Sequence, residues 1–407
     1  MKLRKALLMP SHERSEIFLL LQQVAADIIA EAESYCLSGD LWETFFALRL
    51  VGDENELGHA AEMGSAPTGS IAAMAPQELW ALHRTISAAR NLVDTEALYD
   101  NLRHLKEYLP SSPSGAHIDP EVQVNVLRLA ESFKVAESPA EMYEALVNFY
   151  MQNGSGKFAI YKAFRWSEDS KLAPIEDIGA QTLDSFVGYK AQKDALLVNT
   201  EVFLRGMPAH NVLLFGDSGT GKSSSVRALL NEPGFARRGL RIIELRKDQL
   251  TGIPELLNTI RHRKYRFIIF MDDLSFEEYE VDYKFLKAFI EGGLERKPDN
   301  AVIYATSNRR NLVREVWSER KAVSDDVHGG DTMQERLSLA DRFGLTIWYG
   351  AAAKDEYIEM VRSIANDLGV TMVDEEMESL ALRWEVDRGG FTGRTARQFV
   401  QHMLLRG

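Results

Sequence analysis

The run Gly216-Asp217-Ser218-Gly219-Thr220-Gly221-Lys222-Ser223-Ser224 satisfies the pattern GxxxxGK[ST] at every required position. Its three glycines can take positive φ and carry no Cβ, so the loop can turn its amide N–H groups inward around an anion. The apolar run His210-Asn211-Val212-Leu213-Leu214-Phe215 before it reads as a buried strand. Ser225-Val226-Arg227-Ala228-Leu229-Leu230 after it reads as a helix, whose N-terminal dipole adds to the attraction. The chemistry is phosphate binding: Lys222 brings an ammonium to the β- and γ-phosphates, and the Ser223 hydroxyl offers a ligand for Mg²⁺.

A second acidic element follows. In Phe267-Ile268-Ile269-Phe270-Met271-Asp272-Asp273 an apolar strand ends in two carboxylates. Asp272, held at the sheet edge, can orient Mg²⁺ through water, and Asp273 can polarise an attacking water. Glu277 and Glu278, about one helical turn further on, are backup bases. Asn308, at the end of the strand Ala301 to Thr306, offers a neutral amide able to hydrogen-bond both a lytic water and a γ-phosphate.

These residues need a scaffold that brings strand ends together. After the phosphate loop the sequence alternates strand and helix: Leu240 to Leu245, Ile253 to Ile260, Tyr265 to Met271, Phe276 to Leu294, Ala301 to Thr306 and Leu345 to Tyr349. Alternation of this kind predicts an α/β fold, a parallel sheet sandwiched by helices with its site at the carboxyl ends of the strands. Ahead of the loop strand, an amphipathic helix is expected through Leu196, Val198 and Phe203.

Residues from about 13 to 150 carry helical spacing instead, as in Ile17, Leu20, Leu21, Val24, Ile28, in Leu79, Leu82, Ile86, Leu92, Val93, and in Val124, Leu127, Phe133. The expected organisation is an all-α N-terminal domain over 1–165, a linker over 166–181, an α/β core over 182–350 and a C-terminal helical lid over 351–407. The histidines of the first domain lie scattered, without metal-ligand spacing. Asn153-Gly154-Ser155-Gly156-Lys157-Phe158 contains a GxGK, but Phe158 replaces the hydroxyl residue and no apolar strand leads into it, so it reads as linker.

A chain of 407 residues exceeds what one core usually organises, and 45% hydrophobic with 26% charged residues is an ordinary globular balance. The single Cys36 excludes an intramolecular disulfide and a thiolate metal cluster, and suggests a reducing compartment. No apolar stretch is long enough to span a membrane and the first ten residues are too weakly apolar for a secretory signal, so a cytoplasmic protein without membrane partners is expected. The net charge is −13, of which roughly −10 falls before about residue 170. That balance gives no electrostatic footprint of a general nucleic-acid binder.

Taken in order, these motifs resemble the AAA+ ATPases over roughly residues 180 to 407. Gly216 to Ser223 looks like Walker A, Phe267 to Asp273 like Walker B and Asn308 like sensor 1. Arg342, in Leu339-Ala340-Asp341-Arg342-Phe343-Gly344, looks like the arginine finger presented to a neighbouring subunit. Arg394, in Gly390-Phe391-Thr392-Gly393-Arg394-Thr395, looks like sensor 2 on the lid. Arg336 and Arg397 are the neighbouring alternatives. The wording of GDSGTGKSS, FMDDLSFEEYE, YATSNRRNL, LSLADRFG and GGFTGRTARQF is similar to a bacterial AAA+ family labelled only as a domain of unknown function, number 815.

The resemblance implies ATP and Mg²⁺ as cofactors, a homo-oligomer whose subunit interface holds the nucleotide, and an N-terminal domain that binds a protein partner. Two departures matter. Asp273 is one methylene shorter than the Glu of most relatives, a feature shared with initiator-type members. Leu250-Thr251-Gly252 also lacks the aromatic that threading unfoldases place before Gly. A nucleic-acid loader, with Arg309-Arg310 or Arg261-His262-Arg263-Lys264 on phosphates, and a nucleotide-gated scaffold with weak turnover are the rival readings.

Overall fold

The computed structural model describes residues 14–95, 97–111, 119–276, 283–291, 298–310, 312, 339–370 and 374–405. Glu277, Glu278 and Arg336 lie outside the described residues. The chain divides into two compact units, one of Met1–Lys162 with Pro174–Asp177, the other of Ala163–Ala173 with Ile178–Gly407.

The first unit is helical. Its main helices are Arg14–Tyr35, Leu41–Gly52, Glu56–Glu62, Gly69–Thr95, Pro120–Val135 and Pro139–Asn153. Caps set their starts: Asp40 accepts from the Trp42 amide, and Asp119 and Ser138 each stand before a proline whose missing N–H costs nothing there. Trp42, Phe46, Phe133 and Tyr150 fill the core. Two helices bury only part of the stripe anticipated for them, Leu79 and Val93 on one and Phe133 on the other. Val126, Leu129, Ala130 and Phe133 face inward on Pro120–Val135 and leave Val124 exposed; Leu79, His83, Ala89 and Val93 face inward on Gly69–Thr95 and leave Leu82 exposed. A helix with apolar residues on more than one stripe has its register chosen by the neighbours it packs on.

Buried His83 is satisfied, its Nε2 lying 3.1 Å from a Glu43 carboxylate oxygen. The GxGK decoy is a helix stop: Gly154 ends one helix at φ +81°, the Gly156 amide bonds the Val51 carbonyl, and Phe158 is fully buried.

Among the described residues a seven-stranded sheet is ordered β2-β1-β4-β5-β6-β3-β7; the second unit holds all of it but the last two residues of the edge strand β2. Its strands are β1 (Ala163–Trp166), β2 (Leu172–Ile175), β3 (Val212–Gly216), β4 (Leu240–Glu244), β5 (Arg266–Met271), β6 (Ala301–Ser307) and β7 (Leu345–Tyr349). The pairings β1–β4, β4–β5, β5–β6, β6–β3 and β3–β7 are parallel. Every residue of β6 is buried, as expected of a central strand covered on both faces. At the sheet's edge, β2 falls within the stretch expected to be a linker and β1 straddles its junction with the stretch expected to be all-helical; four-residue strands with polar neighbours leave too little period to read. On the helix Lys190–Leu204, Leu196 and Phe203 are buried as expected, whereas Val198 is 64% exposed. The lid comprises Lys354–Asp367, Asp374–Arg388 and Gly393–Leu404, around Tyr357, Val361, Ala381 and Phe399.

Candidate functional site

Parallel register brings four strand ends to one rim. Gly216 pairs with Tyr349, Phe215 with Ser307, and Met271 with Ala305, so β3, β5, β6 and β7 finish together. The phosphate loop leaves β3 there and runs into the helix Lys222–Ala228. Gly216, Gly219 and Gly221 all have positive φ. Space constrains two of them as well: a Cβ on Gly216 would run into the Tyr349 carbonyl oxygen, and one on Gly219 would lie 2.8 Å from the Arg394 Cβ.

Lys222 is only 6% exposed. Its ammonium donates to the carbonyls of Gly216 (2.9 Å) and Asp217 (2.6 Å) and to Asn308 Oδ1 (3.2 Å), all neutral oxygens. Burial pushes its pKa below the ordinary lysine value, against the opposing pull of Asp217, Asp273 and Asp272. A cation held this way is complementary to a phosphate, which would supply the negative charge that the carbonyls do not.

Asp272 is fixed from both sides. Ser223 Oγ and Thr306 Oγ1 donate to its Oδ1, the latter at 2.7 Å, and Arg227 Nη2 donates to its Oδ2 at 3.1 Å. Thr306 Oγ1 also accepts the Asp273 amide at 2.9 Å, which helps to hold Asp273 in the left-handed region at φ +51°. Asp tolerates that conformation better than most residues do. Asn308 bridges the remaining gap, its Nδ2 donating to Asp273 Oδ1 at 2.8 Å while its Oδ1 faces Lys222.

The lid reaches the loop through Arg394, whose Nη1 donates to Ser218 Oγ at 3.2 Å and whose amide donates to the Gly219 carbonyl at 3.2 Å. Asp217 ties the loop to the lid's approach: its amide donates to the Tyr349 carbonyl, and its Oδ2 accepts the Ala351 amide at 2.8 Å. Thr220 is buried and donates to the Asp217 carbonyl, which closes the turn. Ser224 follows Ser223 within the first turn of the helix.

The structure thus gathers Lys222, Ser223, Asp272, Asp273, Asn308 and Arg394. It sets Arg342 elsewhere, in the turn Ala340–Arg342 ahead of β7. The loop abuts the other end of β7 at Tyr349, and five strand residues separate the two ends by about 13 Å. Thr306 and Arg227 were not anticipated; a hydroxyl inside an apolar strand and an arginine on an amphipathic helix carry no motif. Of the basic run Arg261 to Lys264, His262 is exposed, Arg261 and Lys264 are half-buried, and Arg263 is buried near the Tyr265 ring.

The residues present fit a magnesium nucleotide. Among the described residues no group of three or more His, Cys, Asp or Glu side chains could hold a metal ion. One hydroxyl and one carboxylate suit a cation that keeps its waters and borrows phosphate oxygens.

The family model described as "Protein of unknown function (DUF815)" matches residues 159–406. The chain belongs to that family. The matched DUF815 segment contains the whole rim described above. Among solved structures, the Thermotoga maritima RuvB Holliday junction branch migration motor aligns at 18% identity and a TM-score of 0.39, covering 55% of this chain and 64% of that chain. A threonine-to-valine variant of the same protein gives 18% and 0.40 with equal coverage. The chain therefore spans just under two thirds of those structures. Curated proteins give no match. Among the described residues, the DUF815 segment combines parallel-paired strands, flanking helices and three C-terminal helices. Among the described residues, no helix is long and apolar enough to cross a membrane.

Proposed function

We propose that this DUF815 member is a cytoplasmic AAA+ ATPase that binds ATP with Mg²⁺ at the interface between copies of itself, and that its nucleotide state switches or remodels a protein held by the N-terminal helical unit. One observation carries the reading: the buried Lys222 ammonium, the Ser223–Asp272 pair and the Asp273–Asn308 pair share one rim.

In this reading the loop amides and Lys222 hold the phosphates, and Ser223 and Asp272 hold magnesium. Bound magnesium neutralises charge on the β- and γ-phosphate oxygens. Asp273 accepts a proton from the attacking water. Asn308, whose amide is already polarised between Lys222 and Asp273, orients that water. Arg394 reports nucleotide to the lid through the same loop it now touches. Arg342, standing at the far end of β7, serves the site of a neighbouring copy.

The deciding experiment measures phosphate release and binding of a fluorescent ATP analogue by the purified chain. Magnesium-dependent release, abolished by Lys222→Ala together with analogue binding, supports the proposal. Analogue binding without release points to a nucleotide-gated scaffold, and absence of binding ends the reading.

A further inference from the structure

Arg227 has no part in the site as proposed, yet it touches the centre of it. It lies one helical turn beyond Ser223, so both side chains face the end of β5. The two divide the Asp272 carboxylate between them. Oδ1 takes Ser223 and Thr306; Oδ2 takes Arg227. The Arg227 guanidinium has further supports. Its Nη2 lies 3.4 Å from Glu244 Oε1 at the end of β4, and its carbon sits 5.7 Å from the centre of the Phe270 ring. Glu244 is held in turn by Arg165 Nε, 3.3 Å from its other oxygen. Charges therefore alternate along the sheet ends as Arg165, Glu244, Arg227 and Asp272.

We propose that Arg227 sets how tightly the site takes its divalent cation, by keeping a permanent positive charge on Asp272 Oδ2, and that Glu244 moderates that charge. The inference rests on reading the site as one that holds a magnesium nucleotide. Two roles for Arg227 compete: orienting the carboxylate, which would favour metal, and repelling a second cation, which would oppose it. Orientation is already supplied at Oδ1 by two hydroxyl donors, one of them on the buried strand β6. Removing Arg227 therefore leaves Asp272 in place and changes mainly the charge beside it. Repulsion decides the sign. Glu244 draws Arg227 back toward β4, so its neutralisation should release more positive charge onto Asp272.

The test is a titration of Mn²⁺, followed by the electron paramagnetic resonance signal of the free ion, on full-length protein with a nonhydrolysable ATP analogue. Arg227→Gln should tighten Mn²⁺ by about threefold to tenfold, the size expected for a half-exposed charge. Arg227→Lys should stay near wild type. Glu244→Gln should weaken Mn²⁺ by a similar factor, and the double variant should follow Arg227→Gln. A structural role alone would not give opposite signs for the two partners. Weaker or unchanged Mn²⁺ binding in Arg227→Gln, with the analogue still bound, overturns this inference and leaves the nucleotide reading standing. Wild-type protein that binds neither analogue nor Mn²⁺ overturns both.

Discussion

The amide nitrogen of Asn308 donates to Asp273 Oδ1 across 2.8 Å, so the proposed base and the proposed water-orienting residue are joined directly. The same amide turns its oxygen to Lys222, which fixes its orientation between a cation and an anion. A phosphate that drew Lys222 and Asn308 toward itself would loosen this hold on Asp273.

That pairing makes Asp273→Asn informative. The variant keeps a side chain of the same size beside Asn308 and loses the proton acceptor. Phosphate release should fall by about a hundredfold while affinity for the ATP analogue changes by less than about threefold. Equal turnover in variant and wild type would show that Asp273 is not the base.

Lys222 gives a prediction in stability. Burial lowers its pKa, so the unfolded chain holds the proton more tightly than the folded one. The charged lysine therefore costs stability throughout the neutral range, and the cost fades as pH rises through the folded pKa toward the ordinary lysine value. Lys222→Met should raise the melting temperature of nucleotide-free protein by about 1–3 °C at pH 7. The gain should shrink at high pH, and stabilisation by added ATP should vanish. A lower melting temperature would mean that the three carbonyl contacts outweigh desolvation.

The remoteness of Arg342 from its own loop can be tested by mixing. Arg342→Ala and Lys222→Ala should each be inactive alone. Mixed, they form interfaces in which the loop comes from the first variant and the arginine from the second, so phosphate release should recover to about a quarter of wild type. A mixture as inactive as its parts would remove Arg342 from the site.

Gly216→Ala probes the junction of β3 with the loop. At φ +134° an alanine is strained, and its Cβ would meet the Tyr349 carbonyl in the neighbouring strand. Denaturant unfolding should show a loss of about 2–3 kcal/mol, with analogue binding reduced alongside. A neutral outcome would show that β7 moves aside freely.

Much of the site was legible because its residues answer to local rules. Three glycines, a lysine and a serine at fixed spacing specify a loop conformation, and two acids after five apolar residues specify a strand end; neither requires knowledge of distant contacts. Thr306 and Arg227 could not be read in this way. Their roles exist only because β6 runs beside β5 and because the loop helix lies against the same strand end. The N-terminal helices teach a related lesson. Val124 and Val126 both fit helical spacing, and only the neighbours decided that Val126 would be the buried one.

The amino-acid sequence by itself determined the phosphate loop, the alternation that makes a parallel sheet and the membership of strands β3 to β7, since glycine geometry and buried apolar runs act within a few residues. Only the tertiary structure decided that β1 and β2 extend the sheet, that Asn308 stands between Lys222 and Asp273, and that Arg394 closes on Ser218 while Arg342 stays away. Those relationships join side chains up to 176 positions apart, and packing and strand order, not chain proximity, set such distances.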